Sequence, residues 1–206
     1  QEGTYIDTEL RYSVIQDKRD QSFKPTEGYR ASFNQKLPLY SESPSLINGI
    51  DYSAYHSFSD NFIGSLRFHG RAINSLSSSE DVKLSERLSI PGKYLRGFEV
   101  GKIGPVDASD YIGGNYVTAL GFNAALPKLL PNLTNADVSL FLDTGNVWGI
   151  DYDTNIDESN KLRSAFGVSV DWFTPIGPLS FSFSEAITSA STDKPESFRF
   201  NIGTTF

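Results

Sequence analysis

The sequence predicts an all-β protein, an antiparallel transmembrane β-barrel to which these 206 residues contribute about nine strands. Three observations predict it. Apolar and polar residues alternate one by one in short runs along the chain, aromatic residues reach 13% of it, and tight turns alternate with long connections. Successive side chains of a strand point to opposite faces, so period-two alternation makes one greasy and one wet face. No stretch approaches the roughly 18 consecutive apolar residues of a membrane-spanning helix, and none sustains a helical period. A slightly negative mean hydropathy fits a barrel, whose strands average apolar and polar positions.

The elements follow in order. At 4–15, Thr8, Leu10, Tyr12 and Val14 oppose Asp7, Glu9, Arg11 and Ser13. Weaker alternation covers 28–37 and 46–57. Phe62, Leu66 and Phe68 oppose Ser65, Arg67, His69 and Arg71. Leu120, Phe122, Ala124 and Leu126 oppose Ala119, Gly121, Asn123 and Ala125. Val138, Leu140 and Leu142 oppose Ser139, Phe141 and Asp143. Leu162, Phe166, Val168, Val170 and Trp172 share a face opposite Arg163, Gly167, Ser169 and Asp171. After the tight turn Pro175-Ile176-Gly177-Pro178, Leu179, Phe181 and Phe183 alternate with Ser180, Ser182 and Ser184. Last, Phe198, Phe200, Ile202, Thr204 and Phe206 oppose Arg199, Asn201, Gly203 and Thr205.

Short connections are expected at 24–27, 58–60, 127–135 and 175–178, and longer ones at 38–45, 76–114, 149–161 and 188–197. Short turns at one end and long loops at the other are the habit of outer-membrane barrels. An antiparallel sheet closes with an even strand count, and an open edge in lipid leaves costly unpaired backbone groups. Nine strands are therefore expected to be part of a larger barrel. Gln1-Glu2-Gly3-Thr4 carries no initiator Met or signal segment, so the chain is expected to be processed or cut from a longer one.

The net charge of −7 argues against a nucleic-acid partner, whose phosphates demand a basic excess. The absence of Cys fits an oxidising compartment. The polar strand faces carry many charges, among them Glu9, Arg11, Asp51, Arg67, Arg71, Asp143, Arg163, Asp171 and Arg199. Each would cost roughly 2–4 kcal/mol against lipid, so they are expected to face a wet lumen. No metal constellation is present, since His56 and His69 lack partners at ligand spacing. They are expected to be solvated or lumen-facing, and no cofactor is implied. Hydrolysis would need a base that two His poorly supply, and Gly113-Gly114 lacks the spacing of a phosphate loop. Asn132-Leu133-Thr134 matches a glycosylation sequon but belongs to a short turn.

The connection 76–114 is too long for a passive turn. It holds Leu95-Arg96-Gly97-Phe98, then Ile103-Gly104-Pro105 and Ile112-Gly113-Gly114-Asn115. An Arg among Gly and aromatic residues suits insertion into an acidic lumen. Leu95-Arg96-Gly97-Phe98 resembles the Arg-Gly-Phe/Tyr motif of the BamA-type family (bacterial surface antigen family). Ile112-Gly113-Gly114-Asn115, Phe141-Leu142-Asp143-Thr144-Gly145-Asn146-Val147-Trp148, and the final hairpin with its terminal strand at 198–206 resemble further family segments in the same order.

The resemblance implies the C-terminal part of a barrel of about sixteen strands, spanning 1–206, with loop 76–114 folded inward and the periplasmic domains and first strands outside this chain. It implies that Arg96, Gly97 and Phe98 form the loop motif and that Asp143 receives the Arg. Asn123 stands where some relatives carry a Glu, which leaves Arg96 one clear carboxylate partner. The pair is expected to lock the loop in place. Phe198, Phe200, Ile202, Gly203 and Phe206 would form one lip of a seam, with Gly203 weakening or kinking it. The function implied is assembly and insertion of β-barrel proteins into the bacterial outer membrane, without enzymatic activity. Its partners would be unfolded barrel clients, accessory lipoproteins and outer-membrane lipid. The alternative is a two-partner-secretion type polypeptide transporter. A plain diffusion porin would need neither the Arg motif nor Asp143.

Overall fold

Alternation along the chain becomes pairing across it. The computed structural model describes residues 6–130, 135–152, 156, 160–175 and 177–202. Nine strands form one antiparallel sheet in which each lies beside the next in sequence. They are β1 (Thr8–Asp17), β2 (Gly28–Tyr40), β3 (Ser45–Ser59), β4 (Phe62–Ser75), β7 (Tyr116–Leu126), β8 (Ala136–Trp148), β9 (Arg163–Thr174), β10 (Gly177–Thr188) and β11 (Phe198–Ile202). Between β4 and β7 the long connection carries a 3-10 turn, Leu84–Glu86, and a small hairpin of β5 (Val106–Asp107) and β6 (Asp110–Tyr111). No α-helix occurs among the described residues.

The registers sort the side chains. Large apolar residues at alternate positions, such as Leu140, Leu142, Phe166 and Phe183, stand exposed on the outer face, as lipid contact demands. On the inner face one row runs Arg67, Gly121, Asp143, Ala165 and Ala186 across five strands. Gly and Ala on either side of Asp143 leave room for the long loop. Its Ile90, Leu95, Phe98 and Ile103 pack on Val117, Ala119, Val147 and Ala165, and this contact is the molecule's hydrophobic core. Each such side chain contributes about 1.5–3 kcal/mol when fully buried.

Two connections differ from expectation. The β1–β2 connection spans 18–27 and is the longer, whereas β2 and β3 are joined by only 41–44. Pro38 does not end β2. It sits opposite Glu9, where the register with β1 shifts, a place where a missing N–H is tolerated. The extra length at 18–27 crosses the lumen at the end opposite the long loop. Lys24 Nζ lies 2.5 Å from Asp137 Oδ2 on β8 and 4.3 Å from the Phe173 ring centroid on β9. Phe23 meets that ring edge-on at 4.9 Å. Residues 131–134, which hold the sequon, lie outside the described residues.

Candidate functional site

The long loop descends from the ends of β4 and β7 to the middle of β8, where Asp143 is fully buried. A buried carboxylate must be matched by donors, and Arg96 supplies three. Its backbone N–H reaches Asp143 Oδ2 at 3.0 Å, its Nε reaches the same oxygen at 2.7 Å, and its Nη2 reaches Oδ1 at 2.8 Å. Nη2 also donates to Asn123 Oδ1 at 2.7 Å. The guanidinium carbon lies 3.6 Å from the Phe141 ring centroid, a cation–π contact on the wall itself. Gly97 follows with φ +88°, and a Cβ there would lie 2.4 Å from that of Ala165. Phe98 then turns into the core with 1% of its surface exposed.

Two further anchors hold the loop. Tyr94 donates to Asp51 Oδ1 at 3.1 Å and stacks on His69 at 4.3 Å between ring centroids. Asp51 is itself held by Arg71 Nη2 at 2.6 Å and His69 Nδ1 at 2.7 Å. On the other side Arg199 of β11 donates to the Gly92 carbonyl at 2.8 Å and to the Phe98 carbonyl, and pairs with Glu196. Loop backbone continues the join, with Glu196 N donating to Gly97 O and Glu99 N to Lys194 O, both at 2.9 Å. The connection that carries Glu196 is fixed by Arg163 and Asp193, both fully buried and paired at 2.9 Å.

At its outer foot the loop meets Asp151. Val82 N and Asn115 Nδ2 donate to its Oδ2 at 3.0 and 3.1 Å, and Arg87 pairs with its Oδ1. Partial burial works to raise the Asp151 carboxyl, but these donors outweigh it and hold the group below its ordinary value of 3.8.

The structure thus brings Arg96, Gly97, Phe98, Asp143 and Asn123 into one cluster. Phe198, Phe200 and Ile202 stand apart from it, exposed on the outer face of β11. Phe198 and Phe200 pair with Phe183 and Phe181 of β10 at 5.0 Å. Gly203 and Phe206 lie outside the described residues. His56 is exposed beside Glu27, whereas His69 is buried on Asp51. No group of three or more potential metal ligands occurs among the described residues. Sequence reasoning did not single out Tyr94, Asp51 or Arg199 as loop anchors. Asp51 and Arg199 were visible as charges on a wet strand face, but alternation names a face and no partner.

A lipid-facing antiparallel wall with a loop locked to its inner side defines a part of a transmembrane β-barrel. All of residues 1–206 match the Omp85 superfamily domain, and the chain belongs to that superfamily. It is 27% identical over 210 residues to the outer membrane protein assembly factor BamA of Neorickettsia risticii (strain Illinois), covering 99% of this chain and 28% of that relative. It is 26% identical over 226 residues to the protein of the same name from Neisseria meningitidis serogroup B, covering 92% of this chain and 28% of that one. The fold aligns with BamA from Haemophilus ducreyi lacking POTRA domains 1–3 at a TM-score of 0.83 and 25% identity, over 93% of this chain and 41% of the other. The chain therefore spans 28% of the length of the first two relatives. Family and relatives place it in the bacterial outer membrane.

Proposed function

We propose that the protein to which this chain belongs assembles and inserts β-barrel proteins into the outer membrane, and that residues 1–206 are the C-terminal part of its barrel. On this reading the first strands and the periplasmic domains belong to the rest of the parent. The long-loop end faces outward and the end bearing 18–27 faces the periplasm. Clients are unfolded barrel proteins, accessory lipoproteins accompany the parent, and no chemical catalysis is involved.

One observation carries the reading. The last strand, β11, forms the edge of the sheet, pairs with β10 over Phe198–Ile202, and is fastened to the inward loop through Arg199. An edge strand presents unpaired N–H and C=O groups that can template an incoming strand. The loop sits where it can govern that edge. A passive pore has no need of such a link.

The test uses the full-length parent in liposomes, wild type against Arg96→Ala. The folding rate of an unfolded barrel client and the ion conductance are followed together. Client folding faster than in empty liposomes, and slowed by the substitution, supports assembly and gives the loop a part in it. High conductance without client acceleration overturns assembly in favour of a polypeptide transporter.

A further inference from the structure

One side of the lumen, between β2–β4 and the loop, gathers cations around a single carboxylate in its wall, Asp51. Arg67 of β4 occupies the same row as Asp143, separated from it by Gly121. Both oxygens of Asp143 are taken by Arg96. Arg67 Nε is fully buried and has no hydrogen-bond partner, and Arg67 forms no ion pair among the described residues. Lys93, on the loop three residues before Arg96, likewise forms none. Its Nζ lies 5.1 Å from the centroid of the Tyr94 ring.

These two cations line one cavity of about 330 Å³ between β2–β4 and the loop. Arg19 and Arg30 line it too and share a single carboxylate, Asp17, at 2.7 and 3.7 Å. Asp51, the acidic residue in the cavity wall, is already engaged by Arg71, His69 and Tyr94. The cavity therefore gathers four cations from three sources: the β1–β2 connection, the sheet and the loop. A fully buried donor with no acceptor is the rare exception in folded proteins. The rest of the Arg67 side chain lines a space large enough for a ligand.

We propose that this cavity is an oxyanion site that takes a carboxylate or phosphate group, held by Arg67 and Lys93 with Arg30 beside them. A guanidinium offers such a group paired donors in a plane, and an ammonium adds a point charge. The bound anion joins the loop to β4, so occupancy fastens the loop from the side opposite the Arg96–Asp143 lock. The site does not depend on the assembly reading. It follows from charge and geometry alone.

The experiment is calorimetric titration of inorganic phosphate into the full-length parent in detergent, at constant ionic strength maintained with sodium chloride. Sodium acetate is titrated separately and then in competition with phosphate. Saturable phosphate binding is expected, weakened about tenfold or more by Lys93→Gln and by Arg67→Gln, a loss of about 1.4 kcal/mol for each tenfold. Lys128→Gln, an exposed change at the far turn, leaves it unaltered. Lys93 is exposed to the cavity, so its substitution tests the site even if Arg67→Gln fails to fold. Acetate that competes with phosphate extends the site to carboxylates, and phosphate binding alone narrows it to phosphate. An absence of saturable binding to either anion, or binding that survives Lys93→Gln unchanged, overturns the proposal.

Discussion

Arg96 and Arg67 enter the same lumen and end in opposite circumstances. Arg96 comes from a loop, yet its guanidinium is satisfied by Asp143, Asn123 and the Phe141 ring. Arg67 comes from a rigid strand, yet its Nε has nothing to donate to. The difference teaches that position on the wall does not decide whether a charge is structural. What decides is whether a fixed acceptor faces it. On the β7–β8 wall Arg96 meets a full set of acceptors, whereas on β4 Arg67 Nε meets none.

The largest effect expected is from Asp143→Ala, which leaves Arg96 buried and uncompensated. Breaking such a pair costs about 3–5 kcal/mol, read as a drop in the thermal unfolding midpoint of the full-length parent. Arg67→Met, by contrast, removes an unmatched buried charge and should cost little or even stabilise. Equal losses from both substitutions would erase the distinction between the walls.

Next in size is Arg199→Ala. Charge-assisted hydrogen bonds to the Gly92 and Phe98 carbonyls are worth about 1.5–3 kcal/mol. The expected readout is faster tryptic cleavage at Lys93 and Lys102 in the intact parent. Unchanged cleavage would mean that the Arg96–Asp143 lock holds the loop without help from the terminal strand.

The smallest effect concerns the loop's outer foot. The Asp151 carboxyl is held below 3.8 in the folded state, so it favours the unfolded chain's protonation at low pH. Its contribution is fully present above 3.8 and is lost as the pH falls through the lowered folded value. Hydrogen exchange at the Val82 amide should accelerate over that range and stay flat above it, and Asp151→Asn should abolish the dependence.

The wall was largely legible from alternation. Phe141 and Asp143 were assigned together to the inner face, as the β7–β8 and β8–β9 registers require. The loop cluster was legible only in part, because Arg96 and Asp143 stood out through a resemblance while Tyr94 and Arg199 had no local signal. Their partners lie 43 and 107 residues away in the chain, in Asp51 and Gly92. Connection lengths were misjudged at 18–27 and 41–44. A Pro at 38 reads as a strand end unless the bulge opposite it is known. Lys24, with φ +48°, adopts a left-handed backbone that its residue type does not announce.

That same Lys24 has a consequence for the form of the whole wall. Backbone ladders fix the distance between neighbouring strands but leave the curl of an edge-bearing sheet loosely set. By gripping Asp137 and Phe173 from the far side of the lumen, Lys24 and Phe23 act as a drawstring at the turn end. These contacts tie the β1–β2 connection to β8 and β9. An ionic grip of this kind slackens as salt rises, so the hold of that turn on the wall depends on the surrounding solution as well as on the fold.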